Sequence, residues 1–230
     1  MSYIILSMLM IIALTLTSLI LRLINLGSFP ANISPQELAF IYPLRHLLNY
    51  NLFLARLPFV LIYTATIPAA VILVKKLSPR AGPWTGILLG LSPWHLLLSR
   101  RAVLPWSPWL NLELTKVIER FFDFLSPVYL FFSDVSFSIA LPMLLLALII
   151  VKKFDSLFWL SLKLILLGTA LAALQVYFGN AHALVLALFG WTILLGWGIA
   201  TSLRRFPWAF FIFMPIFTYQ AVNSLHNYFI

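Results

Sequence analysis

The chain has 230 residues, of which 63% are hydrophobic and 9% are charged. Soluble domains carry about a quarter charged residues, so this composition excludes a protein that is solvated on all sides. The formal net charge of +9 does not indicate a nucleic-acid partner, because the basic residues cluster at the ends of apolar runs, as in membrane proteins. Cysteine is absent, which excludes disulfides, zinc–thiolate sites and covalently bound c-type haem.

The apolar runs predict an all-α, polytopic membrane helix bundle, because roughly 20 apolar residues are needed to span a bilayer as a helix. We expect one transmembrane domain covering residues 1–230, with about seven transmembrane helices and two amphipathic segments on the outer side. The N-terminal run lacks a basic leading region and a cleavage site, so we interpret it as a retained first span. The predicted spans lie near residues 4–24, 57–76, 83–99, 135–151, 157–177, 182–203 and 207–225.

Basic pairs at the ends of the second, fourth and sixth predicted spans indicate how the chain lies in the membrane. Such pairs beside short loops favour the cytoplasmic side. We therefore expect a cytoplasmic N-terminus and an outer C-terminus. As separate expectations, we predict a location in the bacterial inner membrane, and membrane lipids and other integral membrane subunits as partners. The pairs are Lys75 and Lys76, Lys152 and Lys153, and Arg204 and Arg205.

Two predicted outer segments follow the first and third spans. The first, near residues 34–51, begins with Ser34 and Glu37, which form the S/T-x-x-E pattern of a helix capping box. The second, near residues 100–134, carries charged residues at helical spacings and ends in an aromatic stretch, FFDFLSPVYLFF. Both patterns are typical of amphipathic helices that lie in the headgroup region.

The third span carries three glycines at four-residue intervals: Gly82, Gly86 and Gly90. Small residues at this spacing let a second helix approach closely. We therefore predict helix packing along this face, with a ligand groove as the alternative.

Two groups of polar residues could carry chemistry at the outer surface. Glu37 is either a capping residue or a catalytic base held over an outer cavity, and local spacing leaves both interpretations open. His95 lies shortly before Arg100 and Arg101, and arginine offers a forked set of donors to a phosphate. The alternative is that these three residues are ordinary residues of the membrane interface.

Metal and cofactor sites have little support in the sequence. The chain contains no HExxH motif, so we predict no metal site. Two histidines that face each other across the bundle could ligate a haem or pigment, although no spacing motif indicates such a pair.

Four segments, in chain order, resemble motifs of one enzyme superfamily, the C-type (polytopic) glycosyltransferases. Their first outer loop, in which Arg, Leu and Phe-Pro precede His-Pro-Asp-Glu-Ala, is similar to RLINLGSFPANISPQELAF. Their second span resembles RLPFVLIYTATIPAAVILVKKL, and their third, with its Ser-Pro-Trp-His and Ser-Arg signature, resembles GILLGLSPWHLLLSRRAV. A weaker match to a later outer loop is FFDFLSPVYLFFSD. Together the matches lie within residues 22–134, a region of about half of the chain.

The resemblance implies transfer of a sugar from a polyprenyl-phosphate carrier to an acceptor at the outer membrane face, with no further cofactor. In the family, an acidic residue of the first loop acts as base or positions the acceptor, and basic residues hold the carrier phosphate. By position, Gln36 matches the family Asp and Glu37 matches the family Glu. The third-span signature is matched by His95, Ser99 and Arg100.

Two departures from the family pattern count against activity. Gln36 is an amide and takes no proton at physiological pH, so general-base catalysis, commonly worth about 10²–10⁴-fold, would fall to Glu37 or be lost. Glu37 is one residue further on and would point about 100° away round a helix. In addition, several spans that the family has after the Ser-Arg signature are missing, which removes helices that would enclose the carrier.

Three functions follow as hypotheses. The first is a non-catalytic membrane scaffold or accessory subunit, derived from a C-type glycosyltransferase and packed within a larger membrane complex. The second is an active, minimal glycosyltransferase that uses Glu37 and a polyprenyl-phosphate sugar donor. The third is a subunit that binds a cofactor or pigment through histidines.

Overall fold

The computed structural model describes residues 2–28, 37–38, 41–42, 51–101, 114–125, 140–151, 153–174 and 184–229. Within these ranges the chain is all-helical, with nine α-helices and no strand, which confirms the predicted all-α class. The helices are α1 (Ser2–Leu23), α2 (Leu52–Leu77), α3 (Ala81–Leu91), α4 (Pro93–Ser99), α5 (Leu114–Leu125), α6 (Ala140–Ile150), α7 (Ser156–Ala173), α8 (Val185–Arg205) and α9 (Ala209–Phe229).

Three helices in the described ranges, α2, α7 and α8, are long and apolar enough to cross a membrane. They have 26, 18 and 21 residues, and a rise of 1.5 Å per residue brings such lengths close to or beyond a hydrocarbon core of about 30 Å. Helices that are long and apolar enough to span a membrane are therefore confirmed, but within the described ranges they are fewer than the seven that the sequence predicts.

Of the four other predicted spans, one is interrupted, two are described only in part and one is less apolar. Pro93 divides the predicted span 83–99 into α3 and α4, because proline lacks a backbone N–H and is well placed in the first turn of a new helix. Helix α6 is described from Ala140, and the earlier part of its predicted span, residues 135–139, lies outside the described residues. The apolar segment described in α1 is Met8–Leu23. Helix α9 has 21 residues but is less apolar, since its second half contains Thr218, Tyr219, Gln220, Asn223, Ser224 and His226.

Helix α8 lies at the centre of the bundle, and glycines let three neighbouring helices approach its backbone. A β-carbon added at Gly190 would lie 2.9 Å from a backbone nitrogen of α7. One at Gly196 would lie 2.9 Å from a backbone nitrogen of α3, and one at Gly198 would lie 2.8 Å from an α-carbon of α6. The backbones of these helices are therefore as close as small residues allow.

The glycine stripe of α3 faces α2 and then α1. An added β-carbon would lie 3.1 Å from the Val71 carbonyl oxygen at Gly82, and 2.5 Å from the Val71 side chain at Gly86. At Gly90 the nearest atoms belong to Ser18 of α1, 3.9 Å away. The first two glycines thus allow close packing on α2, whereas the third has room to spare.

The C-terminal ends of α1 and α4 and the N-terminal end of α2 meet at one end of the bundle. Asn25, just after α1, has a φ of 54°, a left-handed conformation that asparagine tolerates at helix ends. The last carbonyl groups of a helix have no partner inside it. The turn over residues 24–28 therefore presents hydrogen-bond acceptors to the neighbouring helices.

The two predicted outer segments are described only in part. Of residues 34–51, the structure describes positions 37–38, 41–42 and 51, so the proposed cap at Ser34 lies outside the described residues. Of residues 100–134, it describes 100–101 and α5. Helix α5 is amphipathic, with exposed Glu119 and Asp123 on its polar side, while Phe122 on its apolar side is 66% exposed beside α7.

Candidate functional site

Glu37 and Arg56 form a fully buried ion pair. Arg56 Nε donates to Glu37 Oε1 at 2.7 Å, and Arg56 Nη2 donates to Oε2 at 3.3 Å. Neither side chain has any exposed surface. Both carboxylate oxygens are therefore held by one guanidinium in a forked geometry, which joins the predicted outer segment to the start of α2.

Arg56 and Arg100 converge on the turn that follows α1. Arg56 Nη1 donates to the Leu26 carbonyl at 3.0 Å, and Arg100 Nη2 donates to the Ile24 carbonyl. The α-carbons of these two acceptors are at most about 7 Å apart, because they are separated by two residues. Both guanidinium groups thus lie at the negative end of the α1 dipole, where cations are favourable.

Arg22, in the last turn of α1, connects this helix to α4. Its Nη1 donates to the Ser18 carbonyl at 2.9 Å and to the Ser18 hydroxyl, and its Nη2 donates to His95 Nδ1. The Ser18 hydroxyl in turn donates to the Gly90 carbonyl of α3 at 3.4 Å. A single buried arginine therefore links three helices.

The hydrogen bonds of His95 assign its tautomer. Because a guanidinium can only donate, the Nδ1 atom that faces Arg22 carries no proton. Nε2 lies 3.0 Å from Thr66 Oγ1, and this hydroxyl donates its own proton to the Tyr63 carbonyl at 2.6 Å. The Nε2 atom is therefore the donor, and the ring is neutral. With both nitrogens engaged in this way, His95 is poorly placed to ligate a haem or pigment.

The structure gives less support for a functional role of the other predicted site residues. Ser99 is buried, and its hydroxyl donates to the Leu96 carbonyl at 2.7 Å, so its one proton is used within its own helix. Arg101 is partly buried, and none of the described hydrogen bonds joins its side chain to Glu37 or Arg100. Gln36 lies outside the described residues.

Two arginines of the site, Arg22 and Arg56, were not predicted as site residues. Both stand in the motifs that carry the resemblance, as the first residues of RLINL and RLPFV. They look in the sequence like ordinary basic residues that flank a span. A sequence feature that could have identified them is the Arg-Leu pair at each end of the predicted first outer loop.

The arrangement concentrates buried positive charge near an apolar groove. Arg22, Arg56 and Arg100 are among the largest fully buried side chains of the described residues, and guanidinium groups bind phosphate through paired donors. A groove of about 270 Å³ between α1 and α3, lined mainly by apolar side chains, ends at Ser18 and Gly90. In the part of the chain that is described, no three His, Asp or Glu side chains cluster in a way that could hold a metal ion.

No protein-family model, curated protein or solved structure matches this chain. The resemblance to C-type glycosyltransferases therefore remains a hypothesis that rests on the quoted motifs.

Proposed function

We propose that the chain is a non-catalytic integral membrane scaffold or accessory subunit, derived from a C-type glycosyltransferase and packed within a larger membrane complex. The observation that carries this proposal is the state of Glu37. Its carboxylate is fully buried and both oxygens accept hydrogen bonds from Arg56. A carboxylate held in this way has no exposed oxygen with which to reach an acceptor.

The outer faces of the bundle support a role among other membrane proteins. Large apolar side chains are exposed along α1, α2 and α9, as shown by Ile20 at 60%, Ile62 at 62% and Phe211 at 78%. Such faces are suited to contact lipid or the helices of neighbouring subunits.

The composition of the native particle tests this function. The tagged chain, extracted from its own membrane in a mild detergent, is expected to elute with other integral membrane proteins in fixed ratio. Sugar transfer from polyprenyl-phosphate donors is expected to be absent, both in the native chain and in Gln36→Asp, which restores the acid of the family motif. Recovery of the chain alone, or turnover that is lost in Glu37→Gln and kept in Glu119→Gln, would refute the scaffold.

A second candidate function is a minimal glycosyltransferase that binds a polyprenyl-phosphate sugar. The convergence of Arg56 and Arg100 on the turn after α1, near an apolar groove that reaches Ser18, favours it. Native mass spectrometry of the detergent-extracted chain tests this candidate. Bound polyprenyl phosphate that is lost in Arg100→Met but kept in Arg205→Met, at the opposite end of the bundle, would support it, whereas no bound lipid phosphate in either form would exclude it.

A further inference from the structure

Helix α7 has one face packed in the bundle and one face open. The packed face carries most of the small residues of the helix, which are Ser161, Gly168, Thr169, Ala172 and Ala173. Helix α8 approaches this face closely, since a β-carbon added at Gly190 would lie 2.9 Å from the Ile165 nitrogen. Small residues are what allow two membrane helices to pack closely. The face of α7 that suits helix packing is therefore already occupied by α8.

The open face of α7 carries large side chains whose chemistry changes with depth. Trp159 is 51% exposed, Leu166 44% and Leu167 55%, and Lys163 is exposed between them. From the N-terminal end of the helix, the order is aromatic, basic and then aliphatic. Aromatic and basic residues near the end of a span mark the membrane interface, whereas a seam between helices would contain small residues. This face therefore fits lipid better than a further helix.

Lys163 lies too deep for its charge to stay where the helix places its α-carbon. Helix α7 is one of the described helices that are long and apolar enough to span a membrane. Lys163 follows Ser156, the first residue of α7, by seven positions, which places it about 10 Å along the helix. Side chains of a helix tilt toward its N-terminal end, so the long stem carries the ammonium group past Trp159 toward the headgroups.

The polar groups of the open face need an acceptor from another molecule. Within the described part of the chain, no residue accepts a hydrogen bond from Lys163 or from the Trp159 indole. Asp155, at the start of α7, is already engaged: its Oδ1 accepts from the Phe158 N–H at 3.0 Å, and its Oδ2 accepts from the Trp197 indole at 3.1 Å. The acceptor for Lys163 therefore lies outside the described chain.

The end of the bundle toward which Lys163 reaches is basic. Exposed basic side chains lie where α2 and α8 end and just before α3 and α7 begin: Lys76, Arg80, Lys153, Arg204 and Arg205. Among the described residues of this end, Asp155 is the one acidic residue. Such a surface attracts anionic lipid headgroups and repels a second copy of itself. A zwitterionic headgroup fits less well, because it brings a cation of its own.

We propose that a phospholipid with a net negative headgroup binds the open face of α7. Lys163 and the Trp159 indole hold its phosphate, and one acyl chain lies along Leu166 and Leu167. The ammonium group offers three donors and a charge, and the indole offers one donor. This inference goes beyond the scaffold function, which depends on protein subunits at other faces. The two proposals can therefore fail separately.

Native mass spectrometry of the full-length chain in a mild detergent tests the lipid site. The probe is an equimolar mixture of phosphatidylglycerol and phosphatidylcholine with the same acyl chains. We expect the native chain to bind phosphatidylglycerol about 5-fold more often or better, and Lys163→Met to lower this preference about 5-fold, the effect of one lysine on an anionic lipid. Lys163→Arg keeps the charge and should keep the preference.

The control is Lys116→Met, which removes an exposed charge from α5, at the other end of α7. It should leave the lipid preference unchanged. Equal binding of the two lipids by the native chain, or the same preference in Lys163→Met as in the native chain, would overturn the proposal. A loss in Lys116→Met as large as in Lys163→Met would also overturn it, because the preference would then reflect net charge alone.

Photo-cross-linking distinguishes a lipid from a protein neighbour. The native chain has no cysteine, so Leu167→Cys gives one attachment point on the open face for a benzophenone maleimide and leaves Lys163 in place. After irradiation in the native membrane, we expect adducts that have gained the mass of a phospholipid. Adducts with a protein in place of phospholipid would show that another subunit covers this face, and would overturn the lipid site.

Discussion

Arg22 of α1 donates a hydrogen bond to Nδ1 of His95 in α4, and both side chains are buried. The two residues are 73 positions apart in the chain, so the bond fixes the distance between two helices that are not neighbours in sequence. The bond also requires a neutral imidazole, because the nitrogen that accepts from Arg22 has no proton. His95 is therefore a structural acceptor for a buried cation.

Replacing His95 should cost more stability than replacing its second partner. His95→Leu leaves one donor of the buried Arg22 without its acceptor, and we expect the free energy of unfolding to fall by about 1.5–3 kcal/mol. Thr66→Val removes two neutral hydrogen bonds, one from His95 Nε2 and one to the Tyr63 carbonyl, for which we expect a loss of about 0.6 kcal/mol each. Reversible unfolding in mixed micelles of dodecyl maltoside and sodium dodecyl sulfate measures both. A larger loss for Thr66→Val would contradict the assigned roles.

Breaking the buried ion pair should be strongly destabilising. Glu37→Gln leaves the Arg56 guanidinium buried without its counter-charge, and we expect a loss of about 3–5 kcal/mol in the free energy of unfolding. The double variant Glu37→Leu with Arg56→Met should lose less stability than Glu37→Leu alone or Arg56→Met alone, because no lone charge remains. Glu119→Gln, at an exposed position of α5, is the control and should stay within about 0.5 kcal/mol. Additive losses in the double variant would refute a direct pair.

Glycine-to-alanine changes should separate crowded from open contacts. At Gly196 a new β-carbon would lie 2.9 Å from the α3 backbone, and we expect Gly196→Ala to destabilise the protein by about 1–3 kcal/mol. At Gly90 the nearest atoms are 3.9 Å away, so Gly90→Ala should be neutral or up to about 1 kcal/mol more stable through its higher helix propensity. Thermal unfolding in detergent shows which of the two variants is less stable. If Gly90→Ala were the less stable variant, the helices would pack differently.

Asp155, at the end of the bundle opposite the buried arginines, should contribute to the free energy of unfolding through two separate hydrogen bonds. Its Oδ1 caps α7 by accepting from the Phe158 N–H at 3.0 Å, and its Oδ2 accepts from the Trp197 indole at 3.1 Å. Asp155→Ala removes both bonds, and we expect a loss of about 1.5–2.5 kcal/mol in the free energy of unfolding. Asp155→Asn keeps the cap and should resemble Trp197→Phe, with a loss of about 0.5–1.5 kcal/mol. If Asp155→Asn were as damaging as Asp155→Ala, the cap would make no separate contribution to stability.

The sequence predicts the helical class well and the number of spans poorly. Apolar runs indicate helices, but a proline within such a run does not show whether the helix continues or ends there. Pro93 ends one helix and begins another, whereas Pro58, Pro68 and Pro215 lie inside continuous helices. Neighbouring helices decide whether the backbone groups freed by a proline find partners, and a linear pattern does not contain that information.

The sequence predicted some residues of the site but none of the contacts between them. Glu37, His95 and Arg100 could be named from the segments that resemble glycosyltransferases, whereas Arg22 and Arg56 lie in the same segments and were not recognised. Arg56 lies 19 residues from Glu37 and Arg22 lies 73 residues from His95, so neither partnership has a local spacing to reveal it. The pairing depends on how the helix ends meet, which follows from packing of the whole bundle.

The two arginines that bind the turn after α1 also have a consequence for the order in which the helices pack during synthesis. The Leu26 carbonyl receives Arg56 from α2, and the Ile24 carbonyl receives Arg100, which is synthesised 76 residues later. Helix α1 is therefore made before either of the arginines that bind the carbonyl groups at its end. A nascent chain that stalls between residues 56 and 100 would supply the donor for Leu26 but not the donor for Ile24, so the end of α1 is secured in two steps.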